Sequence, residues 1–397
     1  MRILYVTSGL PYPLTSGKLR HYFLSRELAQ RHEVTLLALV GQPVEPEHVR
    51  EMERFVTVRL EAEGSPRFGA RRVLGMTDDA TRRLAAHVQG LFAAGAADVL
   101  VLSGRRAYPL FRVLRGSRLP ILYDLCDAHS LHTRRSLTFA GRRHKPAIAF
   151  RFLLSLWRER AVVAGAGAVM FGSPRDRRAV MGRNTPADWR AVVVPNGVDL
   201  DYWRRSGRQL GGEIVFTGAM DYAPNIDAAM QLVDVILPLV RRALPDARLR
   251  IVGRDPPESL RRRDLQPGVT VTGFVDDMRP HLEAAAVFAA PLRFGAGIQN
   301  KLLEAMAMEV PSVVSPLAAA GLKSEGGSVP PLEVARRSEH FADCLVRHLN
   351  GAAHERAAQP DARSYVEQHF SWSAAGTELE AVLSRLVRSG TEDRASS

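Results

Sequence analysis

Short apolar runs alternate with amphipathic stretches along the chain. Arg2–Thr7 is a nearly continuous apolar run, which is typical of a strand in a parallel sheet covered on both faces. Lys18–Arg31 follows with apolar residues at helical spacing, and Val34–Val40 is the next strand. This order predicts a βαβ unit with a right-handed crossover. The other strands predicted in the first half are Val56–Leu60, Asp98–Leu102, Pro120–Leu125, Ala168–Phe171 and Ala191–Val194, and the other helices are Asp79–Ala94, Arg105–Arg115, Pro146–Ala164 and Arg175–Met181.

A second alternation begins after the turn signature Pro195-Asn196-Gly197-Val198. Its first strand, Glu213–Thr217, ends at Gly218, and a loop and a long helix follow. The predicted strands of this half are Glu213–Thr217, Arg248–Val252, Val269–Thr272, Val287–Ala290 and Pro311–Ser315. The predicted helices are Ile226–Val240, Asp276–Ala285, Gln299–Met308, Ser338–Asn350 and Ser371–Arg388.

The pattern predicts an α/β protein with two doubly wound, Rossmann-like domains that face each other across a cleft. We place the first domain at residues 1–205, the second at 206–371, a terminal helix at 372–390 and a flexible tail at 391–397. Parallel sheets bind ligands at the carboxyl ends of their strands. Four loops occupy such positions: Ser8–Gly17, Asp124–Asp127, Gly218–Asn225 and Phe294–Lys301.

Composition and charge narrow the range of partners. The formal net charge is +12, and arginine supplies nearly all of the positive charge, because the chain has four lysines only. An anionic partner explains such a charge, and so does a GC-rich coding sequence. No nucleic-acid-binding motif or membrane-spanning apolar run is present, and the amino terminus does not have the pattern of a signal peptide. Two cysteines in different halves form no metal pattern and indicate a reducing cytoplasm.

The strongest candidate for chemistry is the helix predicted at Gln299–Met308, which follows a loop with two glycines. The amino-terminal N–H groups of a helix attract phosphate, and Lys301 adds a cation in the first turn. Glu304 lies one turn later, where its carboxylate can accept two hydroxyl groups of a ribose. This spacing suits a nucleotide. The alternative is an ordinary crossover helix with a solvated Lys–Glu pair.

Four motifs in this order resemble the GT-B glycosyltransferases of the retaining family 4, or group 1, and are closest to a bacterial branch tied to exopolysaccharide and surface-glycan assembly. The motifs are VVPNGVDLDYW (Val193–Trp203), GAMDYAPNIDA (Gly218–Ala228), VTGFVDDMRPHL (Val271–Leu282) and GAGIQNKLLEAMA (Gly295–Ala307). The resemblance implies transfer of a sugar from a nucleoside-diphosphate sugar to a hydroxyl acceptor with retention of anomeric configuration. We expect a UDP-sugar donor, no metal or other cofactor, and a role in polysaccharide, glycoconjugate or natural-product synthesis.

The resemblance also implies roles for individual residues. Glu304 would hold the donor ribose, Gly17 would let its loop approach the diphosphate, and Val275 and its neighbours would contact the base. Pro195-Asn196-Gly197 would be the interdomain hinge, and the terminal helix would return to the first domain. The complete set of expected donor-binding residues is Gly17, Gly218, Asn225, Arg254, Val275, Arg293, Gly297, Gln299, Asn300, Lys301 and Glu304.

Three positions depart from the family pattern. Many relatives have Arg and Lys after the first strand of the second domain, where this chain has Ala219 and Asn225. Lys301 is the expected substitute, with Arg254 or Arg293 as alternatives. Many relatives also have a sugar-binding Glu at the position of Ala296.

The third departure is at the end of the strand Pro120–Leu125, where relatives often have a His. Asp124 or Asp127 is the expected catalytic residue beside the donor sugar, together with Lys301 at the diphosphate. The alternative for one aspartate is that it caps the next helix. We expect His129 to be a surface or capping side chain.

Other functions remain open at this point. A nucleotide-sugar 2-epimerase shares the architecture, and a non-catalytic nucleotide-sugar binding protein would tolerate Ala219, Asn225 and Ala296. The acceptor can be a small molecule, a glycan or a lipid-linked sugar. The basic stretches Arg134-Arg135 and Arg142-Arg143-His144-Lys145 would either touch an anionic membrane from the cytoplasm or form a solvated face.

Overall fold

The computed structural model describes residues 1–15, 17–62, 78–139, 141–182, 188–206, 211–295, 297–322, 328–350 and 360–395. The chain divides into two compact units. Unit 1 consists of Met1–Asn196 and Trp372–Ser397, and unit 2 consists of Gly197–Ser371. The division precedes the predicted boundary at residue 205, because the residues after Asn196 belong to unit 2. There Val198 donates its backbone N–H to Phe370, and Trp203 packs on the core.

Unit 1 contains a parallel sheet of seven strands among its described residues, in the order β3-β2-β1-β4-β5-β6-β7. The strands are β1 Arg2–Thr7, β2 Glu33–Val40, β3 Thr57–Ala62, β4 Val99–Ser103, β5 Ile121–Cys126, β6 Ala168–Phe171 and β7 Ala191–Val193. Successive residues of β1 enter the apolar clusters on opposite faces of the sheet, Ile3 and Tyr5 on one and Leu4 and Val6 on the other. A sheet covered on both faces explains the nearly continuous apolar run.

The helices of unit 1 cover both faces of this sheet. They are α1 Leu19–Ala29, α2 Pro46–Glu53, α3 Asp79–Ala93, α4 Tyr108–Leu114, α5 His129–Phe139, α6 Lys145–Gly165, α7 Pro174–Met181 and, at the end of the chain, α16 Trp372–Ala395. Trp372 stacks on Phe23 of α1 with ring centroids 4.9 Å apart, and Leu379 and Leu383 are buried in the same cluster. The last helix extends to Ala395, beyond the helix predicted at Ser371–Arg388, and the flexibility of residues 391–397 stays a prediction.

Unit 2 contains a parallel sheet of six strands among its described residues, in the order β10-β9-β8-β11-β12-β13. The strands are β8 Glu213–Thr217, β9 Arg248–Val252, β10 Val269–Val271, β11 Ala285–Ala290, β12 Ser312–Val314 and β13 Glu333–Val334. Its helices are α8 Ala223–Gln231, α9 Leu237–Val240, α10 Glu258–Arg261, α11 Arg279–Glu283, α12 Asn300–Ala307, α13 Pro316–Ala319, α14 Ser338–Asn350 and α15 Pro360–His369. The prediction of two doubly wound α/β units is therefore confirmed.

Several predicted elements have different bounds. The helix predicted at Ile226–Val240 consists of α8, a π-helical segment Leu232–Ile236 and α9. In contrast to the prediction from the sequence, Ala223–Val240 has the length and composition of a membrane span, the one such helical stretch among the described residues, but half of it is buried in unit 2, as in a core helix. Helix α11 begins at Arg279, because the Asp277 carboxylate accepts the backbone N–H of that residue.

The long helix α6 differs from its prediction in a more important way. The sequence of the helix predicted at Pro146–Ala164 contains an apolar stripe that includes Phe150, Leu153, Leu154 and Trp157, and three of these side chains, Phe150, Leu153 and Trp157, are more than half exposed. The core contact of this helix is made instead by Val162, which is buried, and by the partly buried Val163. Spacing places these apolar side chains on one face, but it does not determine which side of the helix packs on the sheet.

Candidate active site

The order of strands in each sheet reverses at one place, and ligands of doubly wound folds bind there. In unit 2 this place lies between β8 and β11, which are hydrogen-bonded neighbours. The segments that leave the carboxyl ends of these strands are Gly218–Tyr222 and Pro291–Gln299, and α8 and α12 follow them. The topology therefore brings together two of the four loops that the sequence singled out.

Glycines end three neighbouring strands at this edge. Gly218, Gly253 and Gly273 follow β8, β9 and β10, and backbone hydrogen bonds join Gly218 N–H to Val252 and Gly253 N–H to Gly273. A Cβ on Gly253 would overlap with the carbonyl oxygen of Gly218, and the φ angle of Gly253 is +154°. Glycine is required here because the backbones approach too closely for a side chain.

Lys301 occupies the space above Gly218. A Cβ built on Gly218 would lie 2.8 Å from Nζ of Lys301 and 2.7 Å from Nδ2 of Asn225. The lysine ammonium donates a hydrogen bond to Oδ1 of Asn225 and lies 4.7 Å from the ring centroid of Phe216. Nδ2 of Asn225 donates in turn to the carbonyl of Ala219. The ammonium of Lys301 thus lies beside Asn225, the position at which the resemblance expects a lysine.

Burial perturbs Lys301 and Glu304 in opposite directions. It lowers the pKa of the Lys301 ammonium to about 7, and the nearby Glu304 carboxylate partly counteracts that effect. Burial also raises the pKa of Glu304 to about 7, and Lys301 partly counteracts this. Both side chains retain some exposure to solvent while protein surrounds them on most sides. Two groups that titrate near neutrality at a strand-end loop are typical of a functional site.

Tyr202 adds an aromatic side chain near Glu304 that the sequence analysis missed. Its hydroxyl donates to Asp277 over 3.3 Å, and the guanidinium of Arg279 lies 4.2 Å from its ring centroid. Burial raises the pKa of Tyr202, with a further contribution from Asp277 and a smaller one from Glu304. A signal for this residue was available, because Tyr202 stands within the motif Val193–Trp203.

Arg254 and Arg293, the two alternative cations, are already paired with carboxylates. Arg254 contacts Asp255 at 2.7 Å and Asp221 at 3.2 Å. Arg293 donates to both carboxylate oxygens of Asp227, through Nε at 2.8 Å and through Nη2. Lys301 makes no such carboxylate hydrogen bond with another described residue, so its charge is the least compensated of the three.

The remaining donor-site candidates lie around the same edge or in unit 1. Gln299 precedes α12 in an extended conformation, Asn300 begins that helix, and Gly297 has a φ angle of +73°. Val275 is partly buried against the core of unit 2. Gly17 is exposed in unit 1, and a Cβ there would meet no heavy atom of another described residue within 4 Å, so no contact within the described part of the chain requires glycine. Ala296 lies outside the described residues.

Asp124 has an environment that the sequence did not predict. It is fully buried and accepts two hydrogen bonds from Arg20, from Nε at 2.8 Å and from Nη2 at 3.2 Å. Arg20 also donates to the carbonyl of Val194 and to Oδ1 of Asn196, at 2.8 and 3.0 Å. A carboxylate that is enclosed and paired in this way lies away from solvent, and the catalytic role expected for Asp124 stays a prediction.

The same network includes a partly buried histidine. His21 lies 3.2 Å from the hydroxyl of Tyr5 and 3.3 Å from that of Ser103. Burial lowers the pKa of His21 to about 4, so the imidazole is neutral at physiological pH.

Asp127 is the exposed member of the aspartate pair. Although its side chain reaches solvent, surrounding protein and the neighbouring Asp176 raise its pKa to about 7. The proposed helix cap is wrong for both aspartates. The first N–H groups at α5 are bonded to other carboxylates, Ala128 N–H to Asp176 at 3.1 Å and Ser130 N–H to Glu159 at 3.0 Å.

His129 lies at the beginning of α5, partly exposed. Its Nε2 is 3.0 Å from Nη1 of Arg105, and burial followed by the charge of Arg105 lowers its pKa to about 4. An imidazole with so low a pKa is a weak proton acceptor at neutral pH, and the expectation that His129 is a surface or capping side chain stays a prediction.

Comparisons with known proteins agree with the two-unit fold. A family model for the glycosyl transferase 4-like domain matches residues 22–197, and one for glycosyl transferases group 1 matches residues 211–350. The chain is 28% identical over 270 residues to a phosphatidyl-myo-inositol mannosyltransferase of Mycobacterium leprae, which covers 66% of this chain and 67% of that protein. It is 32% identical over 168 residues to a GDP-mannose-dependent mannosyltransferase of Corynebacterium glutamicum that acts on a monoacylated phosphatidylinositol monomannoside, covering 37% and 41%.

Solved structures share the fold at low sequence identity. Sucrose-phosphate synthase from Thermosynechococcus elongatus superposes with a TM-score of 0.73 at 17% identity, over 98% of this chain and 99% of that one. HepE of Anabaena, solved with UDP and glucose, has a TM-score of 0.67 at 15% identity, over 97% and 99%. With the two family models and the two doubly wound sheets, these likenesses show that the chain belongs to the group 1 glycosyltransferases of GT-B fold, enzymes that use a nucleotide-sugar donor.

Proposed function

We propose that the chain transfers a sugar from a UDP-sugar to a hydroxyl acceptor, with retention of anomeric configuration and without a metal ion. The observation that carries the proposal is the position of Lys301, whose ammonium lies over Gly218 and beside Asn225 at the strand-order reversal of unit 2. A diphosphate bound at this edge would contact the Lys301 ammonium, and the first turn of α12 would provide N–H groups for it.

In this proposal Lys301 neutralises the diphosphate. Negative charge grows on the leaving diphosphate in the transition state, and a fixed cation in a site with little water stabilises it most there. Burial disfavours the charged ammonium in the free protein, and a bound diphosphate would reverse that penalty. Glu304, one helical turn further, accepts the ribose hydroxyls.

Retention is proposed from the resemblance to family 4. The acceptor hydroxyl attacks from the face that the diphosphate leaves, and a diphosphate oxygen takes the acceptor proton. This route needs no carboxylate nucleophile at the sugar, which fits the burial of Asp124 against Arg20. The anomeric configuration of the product, read by NMR coupling constants, tests it, and an inverted product would contradict it.

Metal independence is proposed because the cationic Lys301 takes the place of a metal. The sequence Asp199-Leu200-Asp201 has the form of a metal-binding DxD, yet Oδ1 of Asp199 accepts the backbone N–H groups of Asp201 and Tyr202, both at 3.2 Å. We expect transfer to continue in EDTA. Loss of transfer that magnesium or manganese restores would show that the positive side chains are insufficient.

The test of the proposed function uses isotopically labelled UDP-sugars and GDP-sugars. A thermal-shift screen first finds the donor, since a ligand that binds the native state raises the melting temperature. The selected donor is then incubated with and without acceptors, including phosphatidyl-myo-inositol, which appears in the name of one relative. Transfer to an acceptor supports the proposal. An epimerised donor in the absence of acceptor would identify a 2-epimerase, and binding with neither hydrolysis nor transfer would identify a binding protein.

A further inference from the structure

Helix α6 presents an apolar stripe to solvent. Phe150 is 55% exposed, Leu153 is 62% exposed and Trp157 is 53% exposed. The three side chains are spaced by three and four residues, so they lie on one face of the helix. Single exposed apolar side chains are common on proteins, but a row of three large ones is typical of a surface that binds a protein, a membrane or a ligand.

The stripe lies opposite the side by which α6 is anchored. Glu159 and Val162 are buried on that inner side, and Oε1 of Glu159 accepts the N–H of Ser130 at the start of α5. The stripe therefore faces outward because the inner side is already fixed to unit 1.

Exposed cations lie on the same helix as the stripe and at the amino-terminal end of that helix. Arg151 and Arg160 are exposed on α6, and Arg142, Arg143 and Lys145 are exposed at its amino-terminal end. Within the described residues, none of these five cations forms an ion pair with a carboxylate. Glu159 is the only acid in the sequences of α5 and α6, and it is buried. The surface thus combines aromatic and leucine side chains with uncompensated cations.

We infer that this face of α6 docks on an anionic lipid bilayer. Tryptophan, phenylalanine and leucine bury their apolar parts at the boundary between headgroups and acyl chains, while arginine and lysine bind the phosphate groups. A second copy of the chain fits less well, because two such faces would bring their cations together without an acid to pair them.

The inference goes beyond the donor chemistry, since the stripe lies on unit 1 and the donor residues Lys301 and Glu304 lie on unit 2. Only the purpose of membrane docking rests on the proposed function, because a glycosyltransferase bound to a bilayer can reach the hydroxyl group of a lipid-linked acceptor. Membrane docking can therefore fail while transfer of sugar remains intact.

The first experiment compares vesicle flotation of the whole chain with a variant that carries Phe150→Ser, Leu153→Ser and Trp157→Ser. We expect the wild type to float with vesicles of phosphatidylcholine and phosphatidylglycerol, and the variant to bind at least about tenfold more weakly. Matched control substitutions are Leu265→Ser and Val329→Ser, which change exposed apolar residues of unit 2. A stripe variant that floats as well as the wild type would overturn the inference.

The second experiment tests the charge component. Replacing Arg151 and Arg160 by Gln should weaken binding to the anionic vesicles about fivefold for each cation removed. Binding of the wild type should fall at high salt and on vesicles of phosphatidylcholine alone. Equal binding to neutral and anionic vesicles would contradict the role assigned to the arginines.

Two further measurements separate docking from misfolding and from self-association. The melting temperature and the donor-induced shift should be the same in the stripe variant and the wild type, which shows that fold and donor site are intact. The emission of Trp157 should move to shorter wavelength on vesicle addition, a change that the Trp157→Phe variant lacks. A dimer in sedimentation that the stripe variant converts to a monomer would instead identify the face as an interface between copies.

Discussion

Each unit contains a pair of opposite charges, Arg20 and Asp124 in unit 1 and Lys301 and Glu304 in unit 2, and the two pairs differ in how many hydrogen bonds their charged groups make. In unit 1, Arg20 is 3% exposed and Asp124 is 0% exposed, and the guanidinium binds both carboxylate oxygens as well as Val194 and Asn196. In unit 2, the ammonium of Lys301 donates to the amide of Asn225 and to no carboxylate among the described residues.

The difference separates a structural pair from one poised for a ligand. In a buried pair whose hydrogen bonds are satisfied, no donor or acceptor remains for a ligand. The pair in unit 1 instead connects α1, β5 and the end of the segment Met1–Asn196. Lys301 has three N–H donors and uses one of them in a hydrogen bond to another described residue, Asn225, so a diphosphate can take the others. Burial has lowered the pKa of that lysine, and the anion would raise it again.

The largest effect should follow from breaking the pair in unit 1. Arg20→Ala leaves the buried Asp124 carboxylate without its partner, which typically costs about 3–5 kcal/mol of the free energy of unfolding. The matched control is the double variant Arg20→Met with Asp124→Leu, which removes both charges and should lose much less. Urea unfolding measures both. A loss below about 1 kcal/mol for Arg20→Ala would show that the pair is not structural.

Lys301→Ala should impair transfer and leave the fold intact. A fall of about 10²-fold in kcat/KM corresponds to about 2.7 kcal/mol of lost transition-state stabilisation, typical of one electrostatic contact. We expect kcat to fall as well as donor affinity, because the charge on the diphosphate grows during transfer. Lys301→Arg should recover part of the activity, since a guanidinium is larger and planar.

The control for this prediction is Arg254→Ala, which removes a cation already paired with Asp221 and Asp255. The prediction is contradicted if kcat/KM of Lys301→Ala stays within about threefold of the wild-type value while kcat/KM of Arg254→Ala or Arg293→Ala falls further. An arginine would then balance the charge of the diphosphate.

The contrast also shows what the sequence can predict. The strand, loop and helix pattern around Lys301 and Glu304 is local, so α12 was predicted within one residue at each end. Asp124 also stands at a strand end, but its environment depends on Arg20, 104 positions away in the chain. Neither the partner nor the burial of a strand-end carboxylate is visible in local spacing, because the tertiary fold determines both.

Helix α6 is a second case in which the tertiary fold, and not local spacing, determines which side chains are buried. Helical spacing places Phe150, Leu153 and Trp157 on one face, and apolar faces of helices usually pack on a core. The face that packs is instead the one that contains Val162 and the buried Glu159, whose carboxylate bonds to α5. Only the position of the neighbouring helix distinguishes a core stripe from an exposed one.

Glu304→Ala should weaken donor binding while the protein stays folded. A carboxylate that accepts ribose hydroxyls contributes roughly 1.5–3 kcal/mol per charged hydrogen bond. Isothermal titration with the nucleoside diphosphate measures the change, and the corresponding 2′-deoxynucleotide serves as the control ligand. The deoxy ligand should lose affinity for the wild type but not for Glu304→Ala. Unchanged affinity in the folded variant would exclude Glu304 from the ribose site.

We expect the smallest effect in the dependence of donor affinity on pH. This measurement distinguishes the contribution of Lys301 from that of Glu304. The pKa of Lys301 is lowered by burial to about 7, so in the free protein its ammonium loses a proton above that pH. The anionic diphosphate favours the protonated form, and donor binding must then take up a proton. Affinity should therefore fall by up to about tenfold, or about 1.4 kcal/mol, for each pH unit above 7.

Below neutral pH, the change of donor affinity with pH should depend on Glu304 (the acid limb of the profile), and above neutral pH it should depend on Lys301 (the alkaline limb). The pKa of Glu304 is raised by burial to about 7, so its carboxylate gains a proton as the pH falls below that value, and the charged hydrogen bonds to the ribose weaken. Affinity should be greatest near neutrality. Lys301→Arg should remove the alkaline limb alone, because a guanidinium stays protonated, and Glu304→Gln should remove the acid limb alone. Titration of the donor at several pH values measures both limbs. An alkaline limb that persists in Lys301→Arg would assign the proton to another group and remove the lysine from the diphosphate site.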